Sequence, residues 1–141
     1  MKKVDLFLVE DNPHDAHILR RILKKEGLTE SVHWVKDGEA AVINLVEQEA
    51  WMPKLILLDI KLPKVSGLEV LSQIRNNEKI KEVPVIMLTS SYQQVDVNKA
   101  YQLGVNGYLI KPDNYIELKE TLIIIAKFWL TYNLTVHQGT Q

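Results

Sequence analysis

The chain has 141 residues, 46% of them hydrophobic, which fits one domain with enough apolar material for a single sizeable core. Acidic and basic residues nearly cancel to a formal charge of -1, so no overall field favours nucleic acid or an anionic membrane surface. There is no cysteine, which excludes disulfides, thiol catalysis and thiolate metal sites.

In chain order, Leu6-Phe7-Leu8-Val9 is the first short apolar run, too short for a helix and without polar alternation, and reads as a strand covered on both faces. Glu10 and Asp11 halt it at once, which argues against a secretory segment. Asn12-Pro13 opens a first helix, because proline suits the first helical position; Ile18, Leu19, Ile22 and Leu23 form its stripe and Gly27 ends it. A weaker strand, Ser31 to Lys36, follows, and Asp37-Gly38 opens a second helix over Glu39 to Gln48. Leu55 to Leu58 reads as the third strand. Ser66 with Glu69 three residues on has capping-box spacing and opens a third helix carrying Leu68, Leu71 and Ile74. Val85 to Leu88 is a fourth strand, Gln93 to Leu103 a fourth helix closed by Gly104, and Gly107 to Ile110 a fifth strand. Asn114 with Glu117 repeats the capping-box spacing and starts a fifth helix reaching about Tyr132.

Strands alternating with helices imply parallel pairing through right-handed crossovers, hence a doubly wound α/β sheet with helices on both faces. Residues 1–134 are expected to form this one domain and 135–141 a disordered C-terminal tail. The apolar run Leu122 to Ala126 is far too short to span a bilayer, so no membrane contact is expected and the location expected is cytoplasmic.

In such sheets function gathers at the carboxyl ends of the strands. Those ends carry Glu10-Asp11, Asp59, Thr89-Ser90-Ser91 and Lys111-Pro112. Three carboxylates from neighbouring strands repel unless a cation sits among them, and an oxygen-only donor set favours Mg2+ over zinc. A carboxylate beside such an ion can attack a phosphoryl group, with Asp59 as nucleophile, Lys111 as fixed positive charge and Thr89 as hydroxyl. Taken singly, each is more simply a turn former, a strand end or a solvated lysine. Their joint appearance, each directly after an apolar strand, carries the functional reading.

These residues resemble the receiver domains of two-component response regulators from Val4 to about Trp129. The blocks that carry the resemblance are Leu8-Val9-Glu10-Asp11-Asn12, Leu57-Leu58-Asp59-Ile60-Lys61-Leu62-Pro63, Gly67, Pro84 to Ser90, Gly104, Gly107-Tyr108 and Lys111-Pro112. The resemblance implies a flavodoxin-like sheet of strand order 2-1-3-4-5. It implies Asp59 as phosphoacceptor, Asp11 as direct metal ligand, Glu10 helping through water, and the Lys61 carbonyl closing the shell. It also implies a cis Lys111-Pro112 bond, a sensor histidine kinase as donor, and a stand-alone regulator whose alternatives are a phosphate shuttle or sink and a phosphorylation-independent binding module. Ser66 departs from the aspartate or asparagine that many members carry there, but keeps the capping role. Asn12-Pro13-His14-Asp15 and Phe128-Trp129-Leu130 are similar to the small regulators of bacterial phytochrome kinases.

Phosphorylation is expected to draw Thr89 toward the new group and let Tyr108 turn inward. The fifth helix already has a core stripe in Leu118, Leu122, Ile125 and Trp129, yet Ile123, Ile124 and Phe128 add apolar residues on its other faces. That surplus points to a protein contact, most simply a homodimer through helix 4, strand 5 and helix 5. His14 and His17 could share a helical face but lack other metal ligands. Among rival functions, an aspartyl phosphohydrolase of the haloacid dehalogenase type would need an acid where Lys61 stands. A nucleotide or flavin binder would need a glycine- or hydroxyl-rich loop where Glu10-Asp11-Asn12-Pro13 stands. A non-phosphorylated pseudo-receiver would be expected to lack one of Asp11, Asp59 or Lys111, and all three are present.

Overall fold

The structure, a computed structural model, describes residues 1–136. Its elements run β1 (Lys2–Val9), α1 (Pro13–Lys25), β2 (Val32–Val35), α2 (Gly38–Val42), β3 (Trp51–Leu58), α3 (Gly67–Arg75), β4 (Val85–Thr89), α4 (Gln94–Gln102), β5 (Gly107–Ile110) and α5 (Tyr115–Ala126). Two helices continue without a break into wider π-helical turns, α2 through Ile43–Glu47 and α5 through Lys127–Tyr132. These continuations bring the two helices close to the predicted lengths.

All strand pairs are parallel and the sheet order is β2-β1-β3-β4-β5, as expected. Covering such a sheet on both faces requires each central strand to be apolar throughout, and alternate residues then serve opposite cores. Phe7, Val9, Ile56, Leu58, Val85 and Met87 pack on one side with Leu45, Val70, Leu71 and Ile74 of the α2–α4 layer. Leu6, Leu8, Leu55, Leu57, Ile86 and Leu88 pack on the other with Leu19, Ile22 and Leu23 of α1 and Leu122 and Ile125 of α5. Each fully buried side chain of this kind contributes about 1.5–3 kcal/mol, so two continuous layers outweigh the weak propensity of any one short strand.

Two strands begin earlier than their apolar runs. β1 starts at Lys2 and β3 at Trp51, with Lys2 opposite Trp51 and Val4 opposite Pro53. Pro53 interrupts the strand pattern, yet β4 joins β3 only from Ile56 opposite Val85, so the missing N–H at Pro53 deprives no neighbouring strand of a bond. The helix entries follow the predicted caps. Asn12 Oδ1 accepts from the N–H groups of His14 and Asp15, Ser66 Oγ from Glu69 and Asn114 Oδ1 from Glu117.

Arg75, at the end of α3, belongs to no motif in the sequence. Its guanidinium donates to the carbonyls of Gly104, Lys81 and Val83 and to Asn106 Oδ1, tying α3 to both loops that flank β4. Gly104 supplies the left-handed turn, at φ +96°, from which that carbonyl is presented. No helix among the described residues is long and apolar enough to cross a membrane. Most of the segment expected to be disordered, 137–141, lies outside the described residues.

Candidate functional site

Because β1 and β3 run in register to Val9 opposite Leu58, the next residues, Glu10 and Asp59, leave the sheet side by side. Glu10, Asp11 and Asp59 each offer an oxygen within 4.8 Å of the others. Glu10 and Asp59 are buried, at 3% and 8% exposure, whereas Asp11 is open to solvent. Three carboxylates so close repel one another, and an oxygen-only donor set with one exposed member suits a hard divalent cation that keeps part of its water. The residues therefore fit a metal of the magnesium or manganese kind.

The backbone around Asp59 is held by α3. A Cβ at Gly67 would overlap the Asp59 carbonyl oxygen, so only glycine lets the helix start this close to the site. The Gly67 N–H donates to the Ile60 carbonyl at 2.8 Å, and the Lys61 N–H reaches Asp59 Oδ1 at 3.4 Å. On the other side, Trp34 Nε1 donates to the Glu10 carbonyl at 2.7 Å and fixes the end of β1.

β5 delivers the cation. Thr89 pairs with Ile110, so Lys111 leaves the sheet one residue beyond Thr89 and its N–H donates to the Thr89 carbonyl at 2.8 Å. Lys111 Nζ lies 2.6 Å from Glu10 Oε1 and 3.6 Å from both Asp59 Oδ2 and Asp15 Oδ2. The second Glu10 oxygen accepts from the Asn12 N–H at 3.1 Å. Burial pushes the Glu10 carboxyl up, and the hydrogen bond and charge of Lys111 oppose that push. Burial alone would lower the Lys111 ammonium, but its bond to Glu10 and the charges of Glu10, Asp59 and Asp15 outweigh it and hold Lys111 above the ordinary lysine value. Lys111 is thus a dependable cation. Glu10, expected to act on a metal through water, directly grips Lys111 in this arrangement.

Behind the carboxylates, Thr89 is fully buried and its Oγ1 accepts from the Ser91 N–H at 3.2 Å. Ser91 also presents its carbonyl to the Tyr108 hydroxyl at 2.7 Å and donates its own hydroxyl to Asp96 Oδ2 at 2.6 Å. One residue therefore touches the site threonine, the strand-5 aromatic and the first turn of α4. Tyr108 already packs against the α2–α4 core. The sequence offered Ser91 only as a small polar residue after a strand, and its triple contact depends on the loop's path.

Two other points depart from expectation. Among the described residues no peptide bond is cis, so Lys111–Pro112 is trans. Trans is the default at proline by about 0.5–1 kcal/mol, and the Lys111 side chain reaches its three carboxylates without the exchange. Asp15, noted in the sequence only as part of a run after the acidic pair, joins the cluster because the first turn of α1 folds back over Lys111.

The surface of α4, β5 and α5 carries the surplus apolar residues. Ile124 and Phe128 are 70% and 50% exposed, and Val95, Tyr101, Ile110 and Ile116 are exposed nearby in the chain order of the same three elements. The predicted core stripe of α5 is otherwise satisfied, with Leu122 and Ile125 buried and Leu118 and Trp129 packed against them.

Comparison with known proteins places residues 6–123 within the response regulator receiver domain family. A probable methanogenesis regulatory protein, FilR2 of Methanothrix harundinacea, is 41% identical over 131 residues, which is 91% of this chain and 84% of FilR2. The crystal structure of the phosphorylated cyanobacterial phytochrome response regulator RcpA superposes with a TM-score of 0.87 at 34% identity, covering 96% of this chain and 99% of RcpA. The Mn2+-bound form of response regulator Rcp1 superposes with a TM-score of 0.84 at 37% identity, covering 94% of this chain and 98% of Rcp1.

Proposed function

The chain belongs to the response regulator receiver domain family, and from that premise we propose that Asp59 is its phosphoacceptor, fed by a sensor histidine kinase. The observation that carries this reading is the meeting of Glu10, Asp11 and Asp59 within 4.8 Å, with Lys111 Nζ 3.6 Å from Asp59. In the transfer, an Asp59 oxygen attacks phosphorus, the bond from phosphorus to the donor nitrogen breaks, and the imidazole leaves with that electron pair. Lys111 moves from its carboxylates onto a phosphoryl oxygen, and the Thr89 hydroxyl turns from Ser91 to another. Asp11, Asp59, Glu10 and the Lys61 carbonyl would hold a divalent ion, Mg2+ by the hardness of its donors, which supplies positive charge to the phosphoryl oxygens.

The readout follows from Ser91. When Thr89 turns away, Ser91 loses the acceptor of its N–H, and the loop carrying its bonds to Tyr108 and Asp96 is free to shift. Tyr108 and α4 then change the surface of α4, β5 and α5, where Ile124 and Phe128 await a partner. A second copy of the chain is the simplest one. The exposed apolar surface favours this output role over a phosphate shuttle, which needs no surplus of apolar residues far from the acceptor. A kinase of the phytochrome type is in keeping with the likeness to RcpA.

The decisive experiment is phosphotransfer from labelled histidine kinases to the wild-type chain and to Asp59→Asn, with Asp11→Asn as a metal-site control. Label on the wild type and none on Asp59→Asn, with an Asp11→Asn protein that needs more Mg2+ for the same rate, is the expected result. Label that persists on Asp59→Asn overturns the assignment.

A further inference from the structure

Three carboxylates share the Lys111 ammonium, and they are not equivalent. Glu10 is buried and hydrogen-bonded at 2.6 Å, so its removal would take the nearest carboxylate from a half-buried cation. Asp59 is the acceptor itself. Asp15 stands as close to the ammonium as Asp59 does, at 3.6 Å, yet its side chain is 38% exposed. Its backbone is fixed, since Asn12 Oδ1 caps both the His14 and the Asp15 N–H. Its carboxylate borders an open cleft that His14, Ser90, Lys111 and Pro112 also line. Asp15 thus places a carboxylate at the mouth of the site that the proposed function has receive a phosphoryl group.

We propose that Asp15 is a positioning residue that holds Lys111 back from the acceptor and repels small anionic phosphodonors, so that it sets the donor specificity of Asp59. The inference rests on Asp59 being the acceptor. Its physical content is a competition. An incoming dianion must approach a carboxylate of like sign and must also draw the ammonium off it, and both costs vanish when Asp15 is neutral. Because Asp15 is partly solvated, the effect is that of an exposed ion pair rather than a buried one.

The probes are acetyl phosphate, a dianion at neutral pH, and phosphoramidate, which carries less negative charge. With acetyl phosphate, Asp59 attacks phosphorus, the bond from phosphorus to the acetyl oxygen breaks and acetate leaves with the electron pair, so charge and atoms balance. With Mg2+ present, Asp15→Asn is expected to raise the acetyl phosphate rate by roughly two- to fivefold, the span of an exposed pair. The gain should be smaller with phosphoramidate and should shrink as salt is raised from 0.05 to about 0.5 M, where the screening length is only a few ångströms. Asp15→Glu should restore the wild-type rate.

An unchanged or slower Asp15→Asn, or an equal acceleration in Asp15→Glu, overturns the proposal, as does a gain indifferent to salt and donor charge. Asp15 also sits in the first turn of α1, where a carboxylate favours the helix dipole. A purely structural role would lower Tm and leave the ratio between the two donors where it was. If the wild type takes no label at Asp59 from either donor, the parent reading falls and this one with it. If it is labelled and Asp15 has no effect, only this one falls.

Discussion

The carboxyl edge of the sheet and the surface of α4, β5 and α5 break the rule of apolar inside and polar outside in opposite directions. At the edge, Glu10, Asp59 and Thr89 are buried, and the cost is met by Lys111 and by backbone N–H groups. On the surface, Ile124 and Phe128 stand in water although the helix that carries them already has a buried stripe. The first arrangement is chemistry held ready, and its charges have partners within the chain. On the second, Phe128 meets the Trp129 ring edge-on but stays half exposed and Ile124 faces water, which is the ground for proposing an interface there. The link between the two regions is the short path Thr89, Ser91, Tyr108 and Asp96.

The comparison can be broken most severely at Lys111. Replacing Lys111 with Met leaves Glu10 buried without its cation and should cost about 3 kcal/mol, the usual penalty for removing one member of a buried pair; urea unfolding measures it. Because the folded state holds Lys111 above its ordinary value of 10.5, its contribution is full below that pH and is lost as the pH rises through the higher folded value. The stability gap between wild type and Lys111→Met should therefore be flat from neutral pH to about 10 and narrow above it. A gap that instead widens in alkali would contradict the charge assignment.

Next in size is the link. Tyr108→Phe removes the hydroxyl that donates to the Ser91 carbonyl and should cost about 1 kcal/mol. It should leave phosphorylation of Asp59 near the wild-type rate while weakening any phosphorylation-dependent association, as read by sedimentation. Equal loss of both would make Tyr108 part of the site rather than of the path.

The smallest effect on stability belongs to the surface. Ile124→Glu with Phe128→Glu exchanges exposed side chains and should change the unfolding free energy of the monomer by no more than about 0.5 kcal/mol at each position. Light scattering should nonetheless show a monomer under conditions where the phosphorylated wild type is a dimer. A wild type that is monomeric in both states would remove the homodimer and leave the surface to another protein.

Much of this is legible in the sequence. Asp59, Glu10, Thr89 and Lys111 each follow an apolar run directly, with Asp11 one residue behind Glu10, and in a parallel sheet the end of a run is a place in space as well as in sequence. Asn12, Ser66 and Asn114 announced their helices because a cap is a local bond between a side chain and an N–H two or three residues on. The lower halves of β1 and β3 were not legible, since Asp5, Pro53 and Lys54 hide the pattern. There Asp5 is held by Lys54 at 3.5 Å and by the Thr29 hydroxyl at 2.7 Å, contacts that exist only once the strands are paired.

The alternation of elements, the doubly wound sheet and the residue types gathered at its carboxyl edge are therefore written in the order of the residues. Periodicity and capping are short-range effects, and parallel crossovers have one favoured hand. Which partner each charge takes is fixed only by packing. Lys111 is held by Glu10 and shared with Asp15, Arg75 ties α3 to the loops flanking β4, and Ser91 joins Thr89 to Tyr108. Those choices turn on differences of about an ångström in the separation of groups far apart in the chain, such as 2.6 Å against 3.6 Å at Lys111, and no local pattern of residues encodes them.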